Sequence, residues 1–315
     1  MQRLVADFLA TRCSIFAQTT SRTYRSQQQA YLAFCAAARA APVPASAELL
    51  ALYAVFLGRR LQYNSIVQYL NVIRIMHQEA GLPNPLQENY LLHSTLRGLR
   101  RTTTTTSRVK RPLLPQQLLQ LQQVCNLHNL EDLQFWTATL LMFRGMLRIS
   151  NVLPGSGSQH FARKEDFIAE PWGVVLNVRS SKTLQKDSAS SPVPYPGLPR
   201  HPLDPVRPLL RLFAHNATST PSIPSASPFG ARTASWFSRV FQTKLTACGI
   251  PPEGLTPHSL RRGGATWALK CGVPADVIQL LGNWRSDAYK QYLFADADLK
   301  RQYVRLVQQA LPHAP

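Results

Sequence analysis

Acidic residues are scarce in this chain: 16 Asp and Glu stand against 35 Lys and Arg over 315 residues, a formal charge of +19 at pH 7. So few carboxylates exclude a near-neutral surface and suit a polyanionic partner, with nucleic acid the first candidate. Residues 1–112 hold 14 basic and 4 acidic side chains and residues 113–315 hold 21 and 12, so the first third is the denser in charge. Cysteine is sparse and unpatterned. Cys13, Cys35, Cys125, Cys248 and Cys271 are odd in number and form no C-x-x-C, which argues against a disulfide framework or a zinc site and for a reducing compartment. No apolar run approaches the roughly 18 residues of a membrane helix, so no membrane partner is expected. Internal repeats and a long low-complexity tail are missing as well. What remains is ordinary globular material: 45% hydrophobic residues, and a length that allows two cores.

The opening MQRLVADFLATRCSIFAQTTSRTYRS is Arg- and Ser/Thr-rich like a transit peptide. Asp7 interrupts it and the pattern runs on to residue 37, so a folded first helix is expected. Residues 22–37 repeat apolar positions at helical spacing, and PVP at 42–44 stops them. Ser46 is a good N-cap for ELLALYAVFLGRR; further helices are expected over about 65–79 and 87–101. Together these make a small helical bundle, a first domain over residues 1–101. TTTTTSRVKRP, residues 102–112, has poor helix propensity and reads as an extended basic linker able to follow a phosphate backbone. The second domain, 113–315, opens with helix over 115–150, broken by Pro154 and the GSGS beyond it. Then DFIAE, a PWG turn and VVLNVRSSKT predict a hairpin, with a Pro-weakened third strand at SPVPYP. Helices are expected again at 204–215, 233–249, across 256–293 and at 298–310, with 216–228 a loop.

Chemistry-bearing residues gather in TPHSLRRGGATWALKCGVPADVIQLLGNWRSDAYKQYL, residues 256–293. His258 and Arg261, three apart, share a helix face. Arginine offers a phosphate a planar donor fork, histidine a donor or proton carrier, and Tyr289 or Tyr292 a covalent nucleophile. Alone, a His-x-x-Arg usually marks a solvated helix. Arg148, in the apolar GMLRISNVL, must be paired or functional; Lys182, in SSKT, is by itself a surface lysine, and Trp284 an ordinary core aromatic. Arg59, Arg60, Arg97, Arg100 and Arg101 in the helical domain, with Arg108, Lys110 and Arg111 in the linker, are candidate phosphate contacts.

The order Arg148, Lys182, His258-x-x-Arg261, Trp284, Tyr292 resembles the tyrosine recombinase (phage integrase) family over nearly the whole chain. The motifs that carry it are LRIS, SKT, HSLRRGGAT and LGNWRSDAYKQYL, and the last two look most like recombinases of eukaryotic mobile elements of the Crypton and DIRS type. The resemblance implies a mainly α fold with a small antiparallel sheet: a helical, SAM-like core-binding domain followed by a catalytic domain. It implies site-specific breaking and rejoining of double-stranded DNA by a tetramer on paired sites, for integration or excision of a mobile element. Arg148 and Arg261 would hold the nonbridging phosphate oxygens, Tyr292 would attack phosphorus, Lys182 would protonate the leaving 5′-oxygen and His258 would assist. Trp284 stands where many relatives have a second His and keeps an indole N–H to donate. Arg262 reads as a DNA-backbone contact. No metal or other cofactor is implied.

Two departures matter. Asn151 replaces the acid that the family often carries three residues after its first Arg, and the step from Trp284 to Tyr292 is one shorter than usual in bacterial relatives, which keeps Tyr289 as a rival nucleophile. Two other functions remain open: a domesticated, catalytically silent DNA-binding protein, and a nicking-closing enzyme of the type IB topoisomerase kind. The expected compartment is the nucleus for a eukaryotic protein and the cytoplasm for a prokaryotic one.

Overall fold

This computed structural model describes residues 1–13, 15–16, 18–102, 110–155, 161–179, 191–218, 227–284 and 287–292. Its contacts divide the chain into two compact units, Met1–Ser107 and Arg108–Pro315.

The first unit is built from helices α1 (Gln2–Cys13), α2 (Gln18–Ala38), α3 (Ala47–Gly58), α4 (Tyr63–Glu79) and α5 (Tyr90–Thr102). Ser46 has extended backbone and its Oγ accepts the Leu49 N–H at 3.2 Å, the N-cap expected for α3. Leu50, Tyr53 and Ala54 of α3 are buried with Tyr31 of α2, Ile66, Leu70 and Ile73 of α4 and Leu92 of α5. Gly58 lets α3 close on α5, because a Cβ there would lie 2.7 Å from Leu99 Cδ2. The turn before α3 is pinned by buried His77: its Nε2 accepts the Ala45 N–H at 2.9 Å, and its Nδ1 therefore donates to Ile73 O at 2.8 Å. α5 starts later than the expected residue 87. Glu88 is left-handed at φ 54°, and Asn89 Oδ1 caps the Leu92 N–H at 2.9 Å.

The second unit differs from its sequence pattern at one informative place. The stretch 115–150 is not one helix but three: α6 (Pro115–Gln123), α7 (Leu130–Arg144) and the four-residue α8 (Ile149–Val152). Two asparagines make the first break. Asn126 Oδ1 accepts from His128 N at 3.1 Å, and Asn129 caps α7 by accepting from Glu131 N at 2.8 Å. Every residue of α7 from Leu133 to Phe143 is buried, so the helix runs through the middle of this unit with other elements packed all round it. Arg148 accordingly lies beyond the core helix, as the N-cap of α8, and not at its buried end.

The strands β1 (Phe167–Glu170), β2 (Gly173–Val178) and β3 (Ser191–Pro196) form an antiparallel sheet in the order β1-β2-β3. β3 keeps Pro192, Pro194 and Pro196 because it is an edge strand and the three prolines fall at alternate positions, which leaves Val193 and Tyr195 as the N–H donors towards β2. Tyr195 fastens the sheet to α7 through a 3.0 Å hydrogen bond from its hydroxyl to Leu141 O. Burial pushes that phenol well above its ordinary pKa, so it stays protonated and donating. α9 (Val206–Thr218) and α10 (Ala234–Ala247) follow; Thr233 Oγ1 caps α10 by accepting from Trp236 N at 3.2 Å. The unit's last described elements are α11 (His258–Lys270), α12 (Ala275–Leu281) and a 3-10 helix over Asp287–Tyr292. The helix expected at 298–310 lies outside the described residues. Among the described residues no helix is long and apolar enough to cross a membrane.

Two adjacent glycines set how α11 packs. A Cβ on Gly263 would fall 1.9 Å from Leu113 O, and one on Gly264 2.1 Å from Phe143 O. Gly263→Ala and Gly264→Ala are each expected to lower unfolding stability by about 1–3 kcal/mol in urea titrations. Gly98→Ala, where a Cβ meets nothing within 4 Å, provides the contrast: with a helix-former on exposed α5 it should gain roughly 0.5–1 kcal/mol.

Candidate active site and nucleic-acid interface

The candidate site forms where the end of α7, the start of α11 and the end of α12 meet. After Arg144 the chain turns through Gly145 and left-handed Met146, at φ 47°, and Leu147 N returns to Met142 O at 3.0 Å. That reversal turns the Met146 carbonyl towards α11. Because Gly263 and Gly264 let α11 lie close, the Arg261 side chain reaches this carbonyl. Arg261 is only 1% exposed; its Nη1 donates to Met146 O and its Nη2 to Gly282 O at 2.7 Å. Its guanidinium carbon lies 4.0 Å from the Trp284 ring centroid, a cation–π contact. Gly282 is required for that ring position, since a Cβ there would come 1.6 Å from Trp284 Cζ3. Trp284 is 6% exposed and shares a small core with Met146, Ala265, Ile278 and Tyr289.

Arg148 is half-buried next to this turn, and its backbone N–H donates to Asn151 Oδ1 at 3.1 Å. Asn151 therefore orients the start of α8 by hydrogen bonding. His258 opens α11, half-buried, and its pKa is lowered to about 4, by burial first and then by Arg261, Arg262, Arg148 and Lys110. At pH 7 its imidazole is neutral. Every described charge that acts on it is a cation, so the site holds a strong positive potential around a proton-carrying group.

The linker's end belongs to this site. Arg111 N donates to Gly254 O at 3.2 Å and Arg111 Nη2 to Pro251 O at 2.9 Å, and Leu113 N donates to Ser259 O at 3.0 Å. Residues 110–113 thus run along the loop before α11, and exposed Lys110 contributes its charge at His258. Arg262, read from sequence as a backbone contact, is 9% exposed and turns little of its surface outward.

The remaining sequence candidates fall in three groups. Lys182 and Arg108 lie outside the described residues. The segment that carries Lys182 rejoins the described chain at Ser191, whose Oγ donates to Asn283 Oδ1 at 2.8 Å, one residue from Trp284. The backbone of Tyr292 ends the last 3-10 helix, and Tyr289 within it is 5% exposed with its ring 6.2 Å from that of Trp284. In the first unit Arg59, Arg60, Arg97, Arg100 and Arg101 are all exposed. Arg59 and Arg60 follow α3 where it meets the end of α5, and Arg100 lies 5.8 Å from the ring of Tyr63 at the start of α4. Glu48 opens α3, Glu79 closes α4 and Glu88 precedes α5, so none of these three acids lies in the stretches that carry the five arginines. Sequence reading missed the carbonyls of Met146 and Gly282; the only signal was the paired glycine inside a helix, which marks a close approach without naming its partner. Among the described residues no group of three or more His, Cys, Asp or Glu could hold a metal ion.

The second unit has the fold of tyrosine recombinase catalytic domains. Among solved structures, the chain is similar to the Tn1549 transposon integrase in complex with circular-intermediate DNA, at 16% identity and a TM-score of 0.61, covering 96% of this chain and 98% of that one. It is similar to a lambda integrase dimer bound to a COC′ core site, at 17% identity and 0.60, covering 93% and 75%. XerH site-specific recombinase bound to palindromic difH substrate follows at 13% and 0.60, covering 84% and 73%. No protein-family model and no curated protein matches the chain.

The lowered pKa has a defined sign. Between pH 6.5 and about 4 the unfolded chain takes up a proton at His258 that the folded chain refuses, so stability falls as pH falls through this window and levels off below it. An NMR titration of the His258 ring should give a midpoint near 4. His258→Gln should flatten the loss of stability between pH 6.5 and 4 relative to the parent chain.

Proposed function

We propose that this protein is a site-specific DNA recombinase that cuts and rejoins double-stranded DNA through a 3′-phosphotyrosine link. The observation that carries the reading is the buried Arg261 anchored beside Arg148 and a neutral His258, within a fold shared with recombinases solved on DNA. A phosphodiester resists attack because its charge repels nucleophiles and its alkoxide leaves poorly. Arg148 and Arg261 hold the two nonbridging oxygens and stabilise the charge of the pentacoordinate transition state. The Tyr292 oxygen forms a bond to phosphorus as the bond to the 5′-oxygen breaks. The cationic surroundings favour its phenolate, and Lys182 gives the departing oxygen a proton. His258, neutral before DNA arrives, gains affinity for a proton once a phosphate offsets the arginines, which suits it to carry the tyrosine's proton. Rejoining reverses these steps with a 5′-hydroxyl from the partner strand. The bond energy stays in the covalent link, so the scheme needs no ATP, and the arginines supply the charge stabilisation that a metal would otherwise give.

Tyr289 supports the scheme from behind: its packing on Trp284 steadies the ring under Arg261 and makes Tyr292 the better nucleophile. Trp284 serves Arg261 in the same way. Arg59, Arg60, Arg97, Arg100 and Arg101 of the first unit and the linker cations Arg108, Lys110 and Arg111 are assigned to the DNA backbone. Strand exchange on paired sites calls for a tetramer, and a mobile-element origin of the Crypton or DIRS kind fits the motifs and implies action in the nucleus.

Nicked duplexes that carry the terminal or junction sequences of its element trap the covalent intermediate when the released strand diffuses away. The parent protein should give an adduct on a denaturing gel, Tyr289→Phe should keep it and Tyr292→Phe should abolish it. Arg148→Ala should slow adduct formation by about 10²–10³-fold. An adduct lost with Tyr289→Phe and kept with Tyr292→Phe would reverse the choice of nucleophile; none from the parent protein would sink the enzyme reading.

A further inference from the structure

The second unit carries another concentration of cations that the recombinase reading does not use. A cleft of about 290 Å³ opens between the α6–α7 loop, the loop after β3 and the first turns of α9. Arg200, His201, Arg207, Arg211 and His128 line it. Arg207 and Arg211 stand four apart on one face of α9, where like charges repel. Arg200 adds a third guanidinium from a left-handed residue, at φ 67°, a conformation that costs energy in any residue but glycine.

Carboxylates offset this charge only in part. Asp204, which also borders the cleft, is 7% exposed and engaged with the backbone, accepting from Leu198 N at 3.1 Å, Val206 N at 3.1 Å and Arg207 N at 3.3 Å. Glu131 accepts from Trp236 Nε1 at 2.7 Å and pairs with Arg232 at 3.4 Å, while Asp132 pairs with Lys244 at 2.7 Å. Among the described residues none of the three cleft arginines pairs with a carboxylate. The walls are held ready. Arg211 Nη2 donates to Leu127 O at 2.9 Å, which ties α9 to the loop of His128. His201 Nδ1 accepts from Leu203 N at 3.1 Å, so its Nε2 keeps a proton to donate.

We propose that this cleft is a second anion site, for a small molecule with two or more phosphate groups. Three guanidinium forks with imidazole donors match the several oxygens and multiple charge of such a ligand, and a concave wall concentrates their field. The cleft's size suits pyrophosphate or the diphosphate part of a nucleotide. Its place points the same way. His128 precedes α7 and Arg148 follows it, and the 15 residues between Leu130 and Arg144 span about 22 Å. β3 likewise begins at Ser191 beside Asn283 and ends towards Arg200. The cleft is therefore at the far end of the unit from the candidate active site and can fill without blocking it.

Inorganic pyrophosphate is the probe. Calorimetric titration of the full chain should show a binding event that Arg200→Ala/Arg207→Ala removes, leaving any binding at the Arg148–Arg261 site in place. Phenylglyoxal labelling read by mass spectrometry should show Arg200 and Arg207 protected at least threefold by pyrophosphate, with exposed Arg239 unchanged. The titration and the labelling use no DNA cleavage, so failure of the recombinase reading leaves this test intact. Equal binding by parent and variant, no protection at Arg200 and Arg207, or protection by non-cognate duplex DNA alone would overturn the proposal; the last would make the cleft part of a DNA track.

Discussion

The second unit is organised around one buried positive charge. Taking a guanidinium out of water is costly unless its donors are met, and Arg261 meets part of the requirement with the carbonyls of Met146 and Gly282 and the face of Trp284. Those partners come from two separate turns. The end of α7 must reverse through left-handed Met146, α12 must end at Gly282, and Asn283, left-handed at φ 53°, must swing Trp284 underneath. Gly263 and Gly264 bring α11 near enough for the contacts to form. One side chain thus fixes the relative positions of the elements that carry Arg148, His258 and the last 3-10 helix.

Charge is distributed with a purpose that the net figure of +19 conceals. Around His258 the cations act together to keep the imidazole neutral until an anion arrives. In the first unit five exposed arginines follow α3 and lie along the second half of α5. In the cleft beside α9 cations gather again at the far end of the second unit, where the local acids are already engaged by other partners. The first two arrangements suit a long polyanion. The third suits a small one.

Local signals were easy to read where the neighbouring residues decide the outcome. Ser46 was legible as a helix cap because a hydroxyl three residues before a free N–H needs no tertiary help. The prolines of SPVPYP weaken a strand, and the chain uses them where they do no harm, on an edge. Reading 115–150 as one helix failed because apolar spacing persists through Asn126 and Asn129, while the asparagine side chains outcompete the helix for backbone N–H groups. The surroundings of Arg262 and of the linker's end were not legible for a related reason. A basic residue looks exposed in a sequence, and only packing shows that Arg262 is covered and that Arg111 and Leu113 are stitched to the loop before α11.

The order of residue types Arg148, His258, Arg261 and Trp284, the scarcity of acids and the division into helical and mixed regions are properties of the chain alone, legible because spacing and composition are one-dimensional. Which carbonyls hold Arg261, that Trp284 lies beneath it, that Asn151 orients Arg148 and that Lys110 reaches the field of His258 depend on contacts between residues as much as 148 positions apart in the chain, Lys110 and His258. Such contacts are chosen by the packing of whole helices, so the protonation state of the site and the second cation cleft exist only in three dimensions.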